Sequence, residues 1–229
     1  MTTNRREFIE HLGATAMLGA LPLATAPAAM RALAEFAPPL ASADEFDLTW
    51  TNKLKGKAHK AVFDCAEIES GYGVWRAGMW EGQYQAVLGA KPAETATVLV
   101  LRHAALVLGF QQDFWDKYAI GPDDKVTHPI TQQGTEKNPA LLTSKTNDIP
   151  AQFDALALPA FIAKGGIVLA CNVAMQFFSA GLAKKAGITP EEARSRAVAA
   201  LLPGVLLQPS GVFACVRAQE AGCNYVRAS

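Results

Sequence analysis

The sequence predicts a single α/β domain, a mainly parallel five-stranded sheet flanked by helices. Three observations lead there. Short apolar runs rich in β-formers recur at "HKAVFDC", "ATVLVL", "IVLAC" and "VLLQ". Segments of helical spacing separate them, so strands and helices alternate. The runs are apolar almost throughout, as strands are when helices cover both faces of a parallel sheet. With 229 residues, 50% hydrophobic and 18% charged, the chain can bury one good-sized core.

The elements follow in order from about residue 58. "HKAVFDCAE" is the first strand, ended by acidic residues and the loop "SGYG". "VWRAGMWEGQYQAVLG" is a helix closed by Gly89, and "ATVLVLRH" is the second strand. "FQQDFWDKYAI" is a short amphipathic helix. From about 121 to 150 the chain turns polar and rich in Pro, Asn, Thr and Gly, which predicts a long loop insertion. "AQFDALALPAFIAKGG" reads as a helix with Pro159 as an interior break. After the strand "IVLAC", the helix "NVAMQFFSAGLAKKAG" puts Met175, Phe178 and Leu182 on one face, and Gly187 ends it. Thr189, Pro190 and Glu192 predict a capping box opening the next helix. Ser210 caps a last helix after the strand "VLLQ", and "NYVRA" is the fifth strand.

Residues 1–43 read as an address and linker, outside the folded domain. Arg5 and Arg6 are adjacent, Phe8 follows, and a weakly apolar Ala/Gly-rich stretch leads to small-residue cut sites after Ala34 or Ala43. The pattern resembles a twin-arginine (Tat) export signal, which implies the Tat machinery as a partner and a periplasmic or exported destination. The apolar stretch is too short for a membrane span, and no stable span is expected in the mature chain.

Lys+Arg and Asp+Glu both number 21, a balance that speaks against nucleic acid as a partner. His11, His59, His103 and His128 are scattered, and no metal-ligand spacing occurs. "AEIESGYG" after the first strand lacks the dinucleotide fingerprint, so no metal and no cofactor are expected.

The C-terminal part resembles the DsrE/DsrF-like family of small sulfur-relay proteins. The residues that carry the resemblance are "GGIVLACN", "ITPEEA", "LLPGVLLQPSGV" and "RAQEAGCNYVRA", with a weaker extension to "ATVLVLRHAA". The resemblance implies a Rossmann-like fold, assembly into homo-oligomers, and a cysteine that carries sulfur as a persulfide, matched here by Cys171. Exchange with a sulfur donor or acceptor protein is implied with it. Three features depart from the family: Ala104 stands after His103 where glycine is frequent, the 121–150 insertion is long, and an export signal is foreign to relay members.

The residues themselves allow more than one reading. Cys171 ends a strand where a helix begins at Asn172, so backbone N–H groups and the helix dipole could stabilise a thiolate. It could equally be a packed core cysteine. His103 ends a strand and is a candidate general acid/base or donor to the thiolate. Ser210 and Gly211 open a helix at the same edge of the sheet, where N–H groups could cradle a small anionic ligand, although capping alone would explain Ser210. If the first and third strands are neighbours, Cys65 and Cys171 could form a disulfide in an oxidising compartment. Cys215 and Cys223 lie too far apart along the last helix to pair. Trp75, Trp80 and Tyr84 form an aromatic stripe suited to core or interface. The expected function is sulfur transfer through Cys171; the alternative is a non-catalytic oligomeric binding or accessory protein.

Overall fold

The computed structural model describes residues 46–229; Arg5, Arg6, Phe8 and both cut sites lie outside the described residues. Five strands form one sheet: β1 (His59–Cys65), β2 (Thr95–Leu101), β3 (Ile167–Cys171), β4 (Val205–Gln208) and β5 (Asn224–Arg227). All neighbours are parallel, in the order β4-β3-β2-β1-β5. The α/β reading of the sequence therefore holds. The helices are α1 (Tyr72–Leu88), α2 (Gln112–Tyr118), α3 (Ile120–Asp123), α4 (Leu158–Ala163), α5 (Asn172–Ala186), α6 (Pro190–Ala199) and α7 (Gly211–Glu220). Among the described residues, no helix is long and apolar enough to cross a membrane.

Strand alternation sorts the core into two layers. Phe63, Leu99, Leu101, Val168 and Ala170 pack with Val74, Met175, Leu182, Ala193 and Ala197, so α1, α5 and α6 share one face. Val62, Val98, Val100, Ile167 and Leu169 pack with Ala214, Cys215 and Ala218 of α7, and with Trp50 and Leu54. This division follows from chain order. Strands β1 to β4 step one way by crossovers of one hand, and the return from β4 to β5 must use the opposite face. The order reverses at β1, where open α/β sheets form their binding crevice.

Three expectations need correction. β2 lies between β1 and β3, so Cys65 and Cys171 end strands that are not neighbours. Two strand spacings amount to about 10 Å, beyond disulfide reach, and all four cysteines are free. Pro159 does not break a helix: a 3-10 segment, Ala151–Leu156, ends first, and Pro159 sits in the opening turn of α4, where its missing N–H costs nothing. Thr189 Oγ1 does accept Glu192 N–H at 3.1 Å, but the Glu192 carboxylate pairs with Arg196 instead of completing a capping box.

The polar insertion is anchored. Asn138 is fully buried; its Nδ2 donates to Leu108 O at 3.1 Å and Phe110 O at 2.8 Å, and its Oδ1 accepts Ala140 N–H at 3.0 Å. Trp75 stacks on Phe153 at 5.0 Å within a small cluster with Leu142, Ile149 and Leu156, so the insertion lies against α1. Trp80 instead donates from Nε1 to Thr97 Oγ1 at 2.7 Å and meets Tyr84 edge-on.

Candidate functional site

The carboxyl ends of the strands align, because Cys65 pairs in register with Leu101, Leu101 with Ala170, and Cys171 with Gln208. This one edge therefore carries Cys65, Arg102, His103, Cys171, Asn172, Ser210 and Gly211. The chain leaves β1 through a sharp turn in which Glu69, Ser70 and Gly71 have φ of 37°, 56° and 82°.

Cys171 is the N-cap of α5, extended at φ −76° and ψ 116°, and its Sγ accepts Ala174 N–H at 3.3 Å. A sulfur there takes the place of the capping oxygen of serine or aspartate, facing amides that α5 leaves unpaired. The residue is 6% exposed. Asn172, the next residue, is 5% exposed, and its Oδ1 has no hydrogen-bond partner. A buried acceptor without a donor is costly, and is found where something else supplies the donor.

His103 is exposed and left-handed, with φ 48°. It does not donate to Cys171, whose sulfur hydrogen-bonds to Ala174. Ser210 Oγ accepts Phe213 N–H at 3.0 Å, so capping occupies that hydroxyl. Gly211 packs on the Arg102 stem so closely that a Cβ would lie 2.7 Å from Arg102 Cβ.

Sequence reasoning missed the polar cluster beneath α7. Arg102 forks onto Asp64, Nε to Oδ1 at 2.5 Å and Nη2 to Oδ2 at 2.9 Å, and Tyr225 OH donates to Oδ2 at 2.6 Å. Burial pushes the Asp64 pKa up, but hydrogen bonds from Arg102 and Tyr225 outweigh it and hold the carboxyl below its ordinary value. Asp64 was the one charge inside the run "AVFDC", and that was the available signal. Burial also pushes up the thiols of Cys65 to about 11, Cys215 to about 12 and Cys223 to about 11, with the Asp64 charge adding to the effect at Cys215. These three are held as thiols at neutral pH. No cluster of three or more His, Cys, Asp or Glu that could hold a metal occurs among the described residues.

Comparison with known protein families, with curated proteins and with solved structures found no match.

Proposed function

We propose that this chain is an exported DsrE-like sulfur carrier in which Cys171 becomes a persulfide. The observation that supports the reading is the Cys171 sulfur at the N-terminus of α5, accepting Ala174 N–H at 3.3 Å at the carboxyl end of β3. The Cys171 thiolate attacks the outer sulfur of a small persulfide, R–S–SH. The donor S–S bond breaks, R–S⁻ leaves and takes up the proton, and Cys171 holds –S–SH. Passing that sulfur to an acceptor thiol reverses the same exchange. The unpaired Asn172 Oδ1 in the same turn supplies an acceptor for a group bound there. A twin-arginine leader would deliver the folded protein to the periplasm or beyond, with the Tat machinery as partner.

A second reading, favoured by the 6% exposure of Cys171, is a non-catalytic homo-oligomeric accessory protein in which that thiol only packs. Glutathione persulfide added to the reduced protein separates the two. The carrier gains one sulfur atom, located on Cys171 by peptide mass, and Cys171→Ser loses the modification while keeping its fold. A wild-type protein that gains no sulfur on Cys171 leaves the accessory reading standing.

A further inference from the structure

A cavity of about 190 Å³ opens between α1 and the β1–β5 pair, at the amino end of β1 and so at the opposite edge of the sheet from Cys171. Its walls include His59, Phe63, Trp80, Tyr84, Asn224 and Val226. Tyr84 meets Trp80 at 80° and His59 at 63°, with ring centroids 4.9 and 5.3 Å apart, so the rings form angled walls and not a stack. The buried Phe63 ring lies 6.4 Å from Trp80, tilted by 34°. Strand alternation puts His59, Ala61 and Phe63 on this face and sends Lys60 to the other, where its ammonium donates to Ala221 O at 2.9 Å.

The charges around the cavity favour a cation. Trp80 Nε1 donates to Thr97 Oγ1 at 2.7 Å, and the Thr97 hydroxyl donates in turn to Glu81 Oε1. Thr97 is buried and Glu81 is half-buried. No lysine or arginine among the described residues forms an ion pair with Glu81. A hydrogen-bond chain that ends on a carboxylate polarises each of its members, which enriches the π-face of the indole. The α1 helix also ends beside Tyr84, and its last turn has no basic residue to offset the negative end of the helix dipole.

We propose that this cavity binds a small organic cation, a methylated ammonium group, in the angle between Trp80 and Tyr84. Such a group has little or no N–H to donate and is held by the quadrupoles of aromatic rings, with tryptophan the strongest partner. Apolar cavities of about 150 Å³ take up a benzene-sized ligand, so a trimethylammonium head fits while the rest of its molecule reaches solvent. Phe63 and Val226 receive the methyl groups, and Glu81 supplies the counter-charge from behind Trp80. The site does not rest on sulfur chemistry at Cys171.

The test is an NMR titration of the full chain with choline and with its neutral carbon analogue in separate arms, at ionic strength held constant with sodium chloride. The proposal expects a saturable shift of the Trp80 indole N–H with choline, and binding of the neutral analogue weaker by about tenfold or more. Tyr84→Leu keeps an apolar side chain at a partly exposed position and should weaken choline binding about tenfold. Glu81→Gln keeps an acceptor for Thr97 but removes the charge, and should weaken it about threefold. Unchanged amide shifts far from the cavity show that both variants keep the fold. Absence of a saturable choline shift overturns the proposal. Equal affinity for the neutral analogue also overturns it, leaving an apolar pocket only, as does an unchanged affinity in Tyr84→Leu. Shifts at Tyr84 and the exposed Val87 that grow with protein concentration and ignore choline would assign this face to a second copy of the chain instead.

Discussion

The Arg102 guanidinium holds the Asp64 carboxylate by two hydrogen bonds, at 2.5 and 2.9 Å, beneath the first turn of α7. The pair ties β1 to β2 at the carboxyl edge, and the absence of a side chain at Gly211 lets α7 close over it. The Asp64 side chain is 6% exposed and that of Arg102 24% exposed, so solvent screens the contact only partly.

This pair sets an acid limit on stability. The folded-state pKa of Asp64 is depressed, so its stabilisation is present above the ordinary carboxylate range and is lost as pH falls through the depressed value. Arg102→Met leaves the buried carboxylate without its cation. It should cost about 2–3 kcal/mol near neutral pH, read from urea midpoints. The variant should also lose stability at a higher pH than the wild type, because burial of Asp64 is then opposed by Tyr225 alone among its hydrogen-bond donors. An unchanged acid limb would show that Arg102 does not hold the carboxylate down.

Gly73 and Cys65 are coupled by space. A Cβ on Gly73 would fall 2.3 Å from Cys65 Sγ, so Gly73→Ala should destabilise the fold by about 1–3 kcal/mol through overpacking. Cys65→Ala removes the sulfur that is struck, and the double variant should recover most of that loss. A double-mutant cycle on thermal or urea unfolding measures the coupling, and strict additivity would contradict the contact.

Asn138 holds the insertion to the core. Asn138→Ala strands Leu108 O, Phe110 O and Ala140 N–H, and should cost about 2–4 kcal/mol. Limited proteolysis should then cut within residues 127–150 faster than in the wild type. Cleavage at the wild-type rate would mean that the other anchors, the Trp75–Phe153 cluster and the hydrogen bonds of Ser70 to Thr127 and Tyr72 to Pro129 O, suffice to secure this segment.

What could be read from the sequence was local. The runs ending at Leu101 and Cys171 are buried strands because every residue in them is apolar or small. Thr189, Ser210 and Gly187 marked helix ends because capping depends on residues within one turn. Strand order was not legible: the separation of Cys65 from Cys171 depends on β2 lying between two distant segments, which no local period records. The Asp64–Arg102 fork spans 38 residues, and Asn138 looks like any polar residue in a polar loop until its carbonyl partners are placed. At the site, Cys171 was legible from its seam between strand and helix. The aromatic cavity at the other edge was not, since Asn224 and Val226 reach it from the far end of the chain.

Sulfur chemistry at Cys171 is tested most directly by the relative rates at which iodoacetamide labels the four cysteines in the folded, reduced protein at neutral pH. The account predicts that Cys171 is labelled first, ahead of Cys65, Cys215 and Cys223 by about tenfold or more, because its sulfur alone of the four caps a helix, accepting Ala174 N–H at the start of α5. A Cys171 that reacts no faster than the other three would contradict it.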